Sequence, residues 1–136
     1  MADKIFVDSN IWHYAFMSNQ SDKKKKAQQI INNSKIVLNT QVVNEVCYNL
    51  IRKANYSNTD IGKFINNLNI IYTIFNINIS TILKASELRE IYGSSFWDSL
   101  IIASALENGC NILLTEDISG ADLIENKLKI INPFKY

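Results

Sequence analysis

Apolar triplets punctuate this chain, and between them the hydrophobic positions follow a helical period. Ile5-Phe6-Val7, Ile36-Val37-Leu38, Ile112-Leu113-Leu114 and Lys129-Ile130-Ile131 are short and almost continuously apolar, as strands buried on both faces should be. Asn10 stands where it would cap a short helix through Trp12, Tyr14 and Ala15, and a second helix is predicted from Lys23 to about Asn33. Thr40 is placed to cap a helix carrying Val42, Val43, Val46, Cys47, Leu50 and Ile51 on one broad face. Thr59 and Asp60 open another through Phe64, Ile65 and Leu68. From Ile70 to Ile79 the pattern is ambiguous and reads as a helix end followed by a strand near Ile77. Ser80 starts a helix closed by Gly93, and Ser95 starts one over Phe96–Asn108, ended by Gly109. Short apolar strands alternating with helices predict an α/β fold, a three-layer α/β/α sandwich around a mainly parallel sheet of four or five strands.

Composition adds limits rather than direction. At 136 residues the chain suits one domain over 1–136, large enough to bury a core without staples. A formal net charge of +1 confines any nucleic-acid surface to a local patch. Cys47 and Cys110 form no CxxC pair and lie far from the single histidine, His13, so they read as reduced packing residues. No apolar run approaches the ~20 residues of a membrane span, and the N-terminus lacks the apolar core of a signal peptide, so the expected location is the cytoplasm.

The chemistry begins where two strands end. Ile5-Phe6-Val7 runs into Asp8, and Ile112-Leu113-Leu114 into Thr115-Glu116-Asp117. In an open parallel sheet the carboxyl ends of the strands form the edge where ligands bind, so Asp8 and Asp117 are expected there together. A third acid, Asp98, sits in the first turn of an otherwise apolar helix, on an arc with Ile101, Ile102 and Ala105 and with no Lys or Arg within a turn. A helix dipole contributes about 0.3–1 kcal/mol to such a carboxylate, against a burial cost of several kcal/mol. A shared divalent cation would supply the difference. Converging carboxylates without a basic partner suit Mg²⁺ or Mn²⁺, hard cations taking oxygen ligands, and phosphodiester hydrolysis by a metal-activated water needs nothing further.

The strings FVDSNIW, NTQVVNEVCYNLIRK, SFWDSLIIASALENGCNILLTEDI and KIINPF resemble, in that order, the sequence blocks of PIN domains, and especially of the VapC-like toxins of toxin–antitoxin pairs. The resemblance spans nearly the whole chain. It implies a metal-dependent endoribonuclease whose four acids, Asp8, Glu45, Asp98 and Asp117, bind Mg²⁺ or Mn²⁺, with Asn10 and Thr115 lining the site. It further implies cleavage leaving a 5′-phosphate, an RNA substrate, a homodimer, and silencing by a small antitoxin whose tail enters the acidic groove. Glu45 rests on the resemblance alone, because its helical-wheel position lies away from the apolar stripe. Ser9 stands where threonine is frequent in the family, and Ser119-Gly120-Ala121 falls in a variable turn.

Other residues have plainer readings. Glu116 is expected to face solvent or support the site indirectly, Lys23–Lys26 to form a solvated face, Trp12, His13 and Tyr14 to pack in the core or at a dimer contact, and Trp97 to pack in the core. A non-catalytic module binding metal or a basic peptide in an acidic pocket is the alternative function. A haloacid-dehalogenase-type phosphatase is disfavoured by Asn10, where a second acid would stand, and a phosphoacceptor receiver by the absence of a lysine after Leu114.

Overall fold

In a computed structural model, residues 3–33, 35–118 and 122–135 are described, and they form six strands and six helices, a pair of helices following each of the first three strands. The strands are β1 (Ile5–Val7), β2 (Ile36–Asn39), β3 (Thr73–Phe75), β4 (Ile112–Leu114), β5 (Leu123–Ile124) and β6 (Leu128–Ile131). The helices are α1 (Ser9–Met17), α2 (Ser21–Asn33), α3 (Thr40–Ala54), α4 (Asn58–Ile71), α5 (Ile79–Tyr92) and α6 (Phe96–Glu107). The sheet order is β3-β2-β1-β4-β6-β5, parallel throughout except where β5 returns against β6. The expected α/β class with a mainly parallel sheet is what forms, with six strands rather than four or five.

Two strands depart from the expectation. The ambiguous stretch places its strand at Thr73–Phe75, paired with β2, and not near Ile77. Strand β5 is only two residues long, too short to leave a periodic signal, and a tight turn joins it to β6. Glu125 and Asn126 both carry positive φ in that turn, and Lys127 N donates to Ile124 O at 2.9 Å. Positive φ at both central residues gives a turn whose twist matches that of the flanking strands. The Ser119-Gly120-Ala121 turn lies outside the described residues.

Helix starts shift toward better acceptors. Asp8, not Asn10, caps α1; Asn39, not Thr40, caps α3; Ser57 caps α4 in place of Thr59 or Asp60; and Asn78 caps α5 in place of Ser80. Each cap has extended backbone and a side-chain oxygen free to accept from the first turn, a geometry a residue inside the helix cannot offer. Ser95 caps α6 and Gly93, at φ 73°, ends α5, both as predicted.

The core is built on β1, whose Phe6 pairs with Val37 on one side and Leu113 on the other. Phe6, Val7, Leu38, Leu113 and Trp12 are fully buried with Ile11, Leu50, Leu88 and Ile102. Trp12 satisfies its buried indole N–H by donating to Val7 O at 3.1 Å, which pins α1 to the end of β1. On β2, fully buried Asn39 accepts from Val42 N and donates to Ser104 Oγ at 2.9 Å, joining β2 to α6. Cys47 and Cys110 are buried and unbridged, and burial pushes the Cys110 thiol up to about 11, as suits inert packing residues. Among the described residues no helix is long and apolar enough to cross a membrane.

Candidate active site

The sheet runs outward from β1 in both directions, through β2 on one side and β4 on the other, so a crevice opens where the central strands end. Asp8 lies at that point. Its N–H extends the ladder by donating to Leu114 O at 3.0 Å, while its carboxylate caps α1 by accepting from Ser9 N at 2.7 Å. The other carboxylate oxygen accepts from the Thr115 hydroxyl at 2.8 Å. The residue is only 8% exposed. Burial lifts its pKa to about 6; the bonds from Thr115 and Ser9 oppose the rise, and the Glu45 and Asp98 carboxylates add to it.

Asn10, in the first turn of α1, holds the edges of β1 and β4 together. Its amide donates to Thr115 Oγ1 at 3.2 Å and Asp117 Oδ2 at 3.1 Å, with Asp8 Oδ2 at 3.5 Å. Its carbonyl accepts from Glu116 N at 3.2 Å. The loop after β4 is thereby folded against α1, with Asp117 N donating to Thr115 Oγ1 and its carboxylate exposed to solvent. Thr115, 1% exposed, is the hub of this lattice.

Glu45 comes from the second turn of α3 and is half-buried, not a surface acid. Ser9 Oγ donates to its Oε2 at 2.7 Å and Gln41 Nε2 to its Oε1 at 2.9 Å, so both oxygens are oriented. The second contact leaves Gln41 Oε1 buried with no partner among the described residues. That unmet acceptor is a cost borne in the fold that orients Glu45.

Asp98 occupies the first turn of α6, where its N–H is capped by Ser95 Oγ at 3.1 Å. Burial raises its pKa, and Asp117 and Glu45 raise it further. The expectation of a fully buried Asp98 among Ile101, Ile102 and Ala105 does not hold: the side chain is half-buried. The opening turn of α6 projects outward, and the buried run begins at Ser99. Trp97 departs from expectation for the same reason. It is 64% exposed and edge-on to Phe96, not in the core.

Glu116 faces away from this cluster, bonded to Tyr14 and Lys23. Trp12 is buried, and the His13 imidazole lies 3.1 Å from the Asn49 amide with its pKa lowered, chiefly by burial. Among the described residues no three acids are drawn into a single ready-made metal cage. The donor set nevertheless suits a hard divalent cation. Asp8 and Asp98 are both held above the ordinary carboxylate range, and the charges that act on them belong to other carboxylates.

The sequence from residue 5 to 122 matches the PIN-domain family, and the chain belongs to it. Its fold is that of VapC-like toxin structures. A toxin–antitoxin complex from Klebsiella pneumoniae superposes with a TM-score of 0.74 at 17% identity, covering 97% of this chain and 99% of that one. VapC20 of Mycobacterium tuberculosis, a toxin that cleaves the sarcin–ricin loop, superposes at 0.64 and 16% identity over 80% and 86% of the two chains. VapBC2 from Rickettsia felis, bound to promoter DNA, gives 0.63 at 17% identity, over 95% and 99%. No curated protein matches the sequence.

Proposed function

We propose that this single PIN domain is a metal-dependent endoribonuclease and the toxin of a toxin–antitoxin pair. The observation that carries the reading is Asp8, a buried carboxylate with its pKa raised to about 6, whose charged neighbours are the Glu45 and Asp98 carboxylates. Such an arrangement is costly in the empty protein and is relieved by a cation. Asp8, Glu45, Asp98 and Asp117 would hold Mg²⁺ or Mn²⁺, which supplies Lewis acidity for phosphodiester hydrolysis. Within this chain, Thr115 and Asn10 keep the Asp8 and Asp117 oxygens in place, and Ser9 and Gln41 orient Glu45. Asn10 would line the groove for the RNA backbone, with the buried Thr115 supporting it from behind. The complexed relatives support a small antitoxin as partner, and a basic side chain meeting these acids would make charge-assisted hydrogen bonds. A homodimer in the cytoplasm completes the reading.

The test is cleavage of total cellular RNA by purified, antitoxin-free protein in Mg²⁺ or Mn²⁺ against EDTA, beside a folded Asp98→Asn variant. Discrete metal-dependent fragments from the wild type alone are expected. Intact RNA in both, with metal demonstrably bound, would remove the nuclease reading and leave the acidic pocket as a binding module.

A further inference from the structure

Two adjacent acids leave β4, yet they meet different surroundings. Asp117 turns toward Asn10, whereas Glu116 turns to the opposite side. There its Oε2 meets Lys23 Nζ at 2.6 Å and its Oε1 accepts from the Tyr14 hydroxyl at 2.6 Å. Lys23 Nζ also donates to Tyr14 Oη at 3.1 Å, which closes a three-membered ring of contacts. The ammonium lies 4.8 Å from the Tyr14 ring centre and 5.3 Å from that of Phe134. Those two rings pack edge to face at 5.0 Å. Lys23 is thus held in position, unlike a lysine waving in solvent; Tyr14 of α1 and Lys23 of α2 hold the Glu116 carboxylate, and Phe134, after β6, lies against both of them.

From these contacts we infer that Lys23 and Glu116 form a positioning strut for Asp117, an inference that rests on the metal-centre reading above. Residues 116 and 117 are gripped from both sides: Asn10 takes the Glu116 N–H and the Asp117 carboxylate, and Lys23 with Tyr14 takes the Glu116 carboxylate. Asp117 is itself exposed, so its direction depends on those grips rather than on packing. The strut has a second effect. Pairing with Lys23 commits the Glu116 charge outside the acidic cluster. Neither residue touches the reacting atoms; both act through Asp117.

The contacts that orient a metal ligand commonly account for about 10- to 100-fold in metal affinity. Direct titration of the full chain with Mn²⁺, read by the paramagnetic signal of the free ion, tests the strut without relying on turnover. Lys23→Met and Glu116→Gln should each weaken Mn²⁺ binding on the order of tenfold. The double variant should be no worse than the weaker single, since both break one device. Lys23→Arg should recover most of the loss, and Tyr14→Phe, which deletes one hydroxyl, should lose less than Lys23→Met. Lys23→Met binding Mn²⁺ as the wild type does, or single losses that simply add, would overturn the strut while the metal centre stands. If the wild type binds no Mn²⁺, or Asp117→Asn leaves binding unchanged, the metal-centre reading falls and the strut with it.

Discussion

The Ser9 hydroxyl donates to Glu45 Oε2 at 2.7 Å across 36 positions of sequence, tying the first residue of α1 to the second turn of α3. Ser9 also donates its backbone N–H to Asp8, so one residue touches two of the four acids by two different groups. Ser9 is 7% exposed, and removing its hydroxyl leaves the Glu45 carboxylate short of a donor.

Ser9→Ala is expected to keep the fold and to weaken divalent-metal binding on the order of tenfold, as loss of a contact that orients a ligand does. Ser9→Thr, which retains the hydroxyl, should bind as the wild type does. Calorimetric titration with Mn²⁺ on all three proteins decides it, and equal affinities for Ser9→Ala and wild type would show that Gln41 alone orients Glu45.

Asp8 carries a pH signature whose sign follows from its environment. Its pKa in the fold, about 6, lies above the ordinary 3.8, so the folded protein holds this proton more tightly than the unfolded chain. Metal-free protein therefore loses stability as pH rises from about 4 to about 6, by on the order of 3 kcal/mol from this group when complete. Asp98 shifts the same way. Urea unfolding in EDTA between pH 4 and 7 should show wild type falling relative to Asp8→Asn over that window. Saturating Mn²⁺ should reverse the difference at pH 7, because the cation binds only the ionised carboxylate. A wild-type-minus-variant difference that is flat with pH would mean Asp8 is ionised throughout.

The two tryptophans should respond oppositely to truncation. Trp12 is fully buried and hydrogen-bonded to Val7 O, and Trp12→Ala is expected to cost about 3–5 kcal/mol. Trp97 is 64% exposed, and Trp97→Ala should stay within about 0.5 kcal/mol of the wild type. Denaturant midpoints measure both. Intrinsic fluorescence assigns them, since quenching by iodide should reach Trp97 and spare Trp12. A large loss from Trp97→Ala would place that ring in a buried contact between chains.

Much of this arrangement is legible in one dimension. Periodicity and triplet strands place β1, β2, β4 and β6 and all six helices to within a turn, because burial on both faces of a strand demands uninterrupted apolar residues and a helix with one buried face repeats them every three to four. Four of the N-caps lie one to three residues before their predicted positions, because several polar side chains near each start could accept the same hydrogen bonds and only the backbone angle selects among them. Asp8 and Asp117 stand out at strand ends, since the end of a parallel strand is a place and not merely a position. Glu45 carried no such mark. Its helical wheel describes a surface residue, and the neighbour that half-buries it, Ser9, comes from another helix.

The sequence by itself determined the class of fold, the family and the acids at the strand ends, all of which depend on local pattern and on residues the chain cannot hide. Tertiary structure alone decided what each acid faces. Asp117 meets Asn10 while adjacent Glu116 meets Lys23, and Trp97 lies outside while Trp12 lies inside. Those outcomes hinge on how α1, α2 and α6 pack around the sheet edge. A side chain's partner there can be 107 residues away, as Thr115 is from Asp8, and no window along the chain contains both.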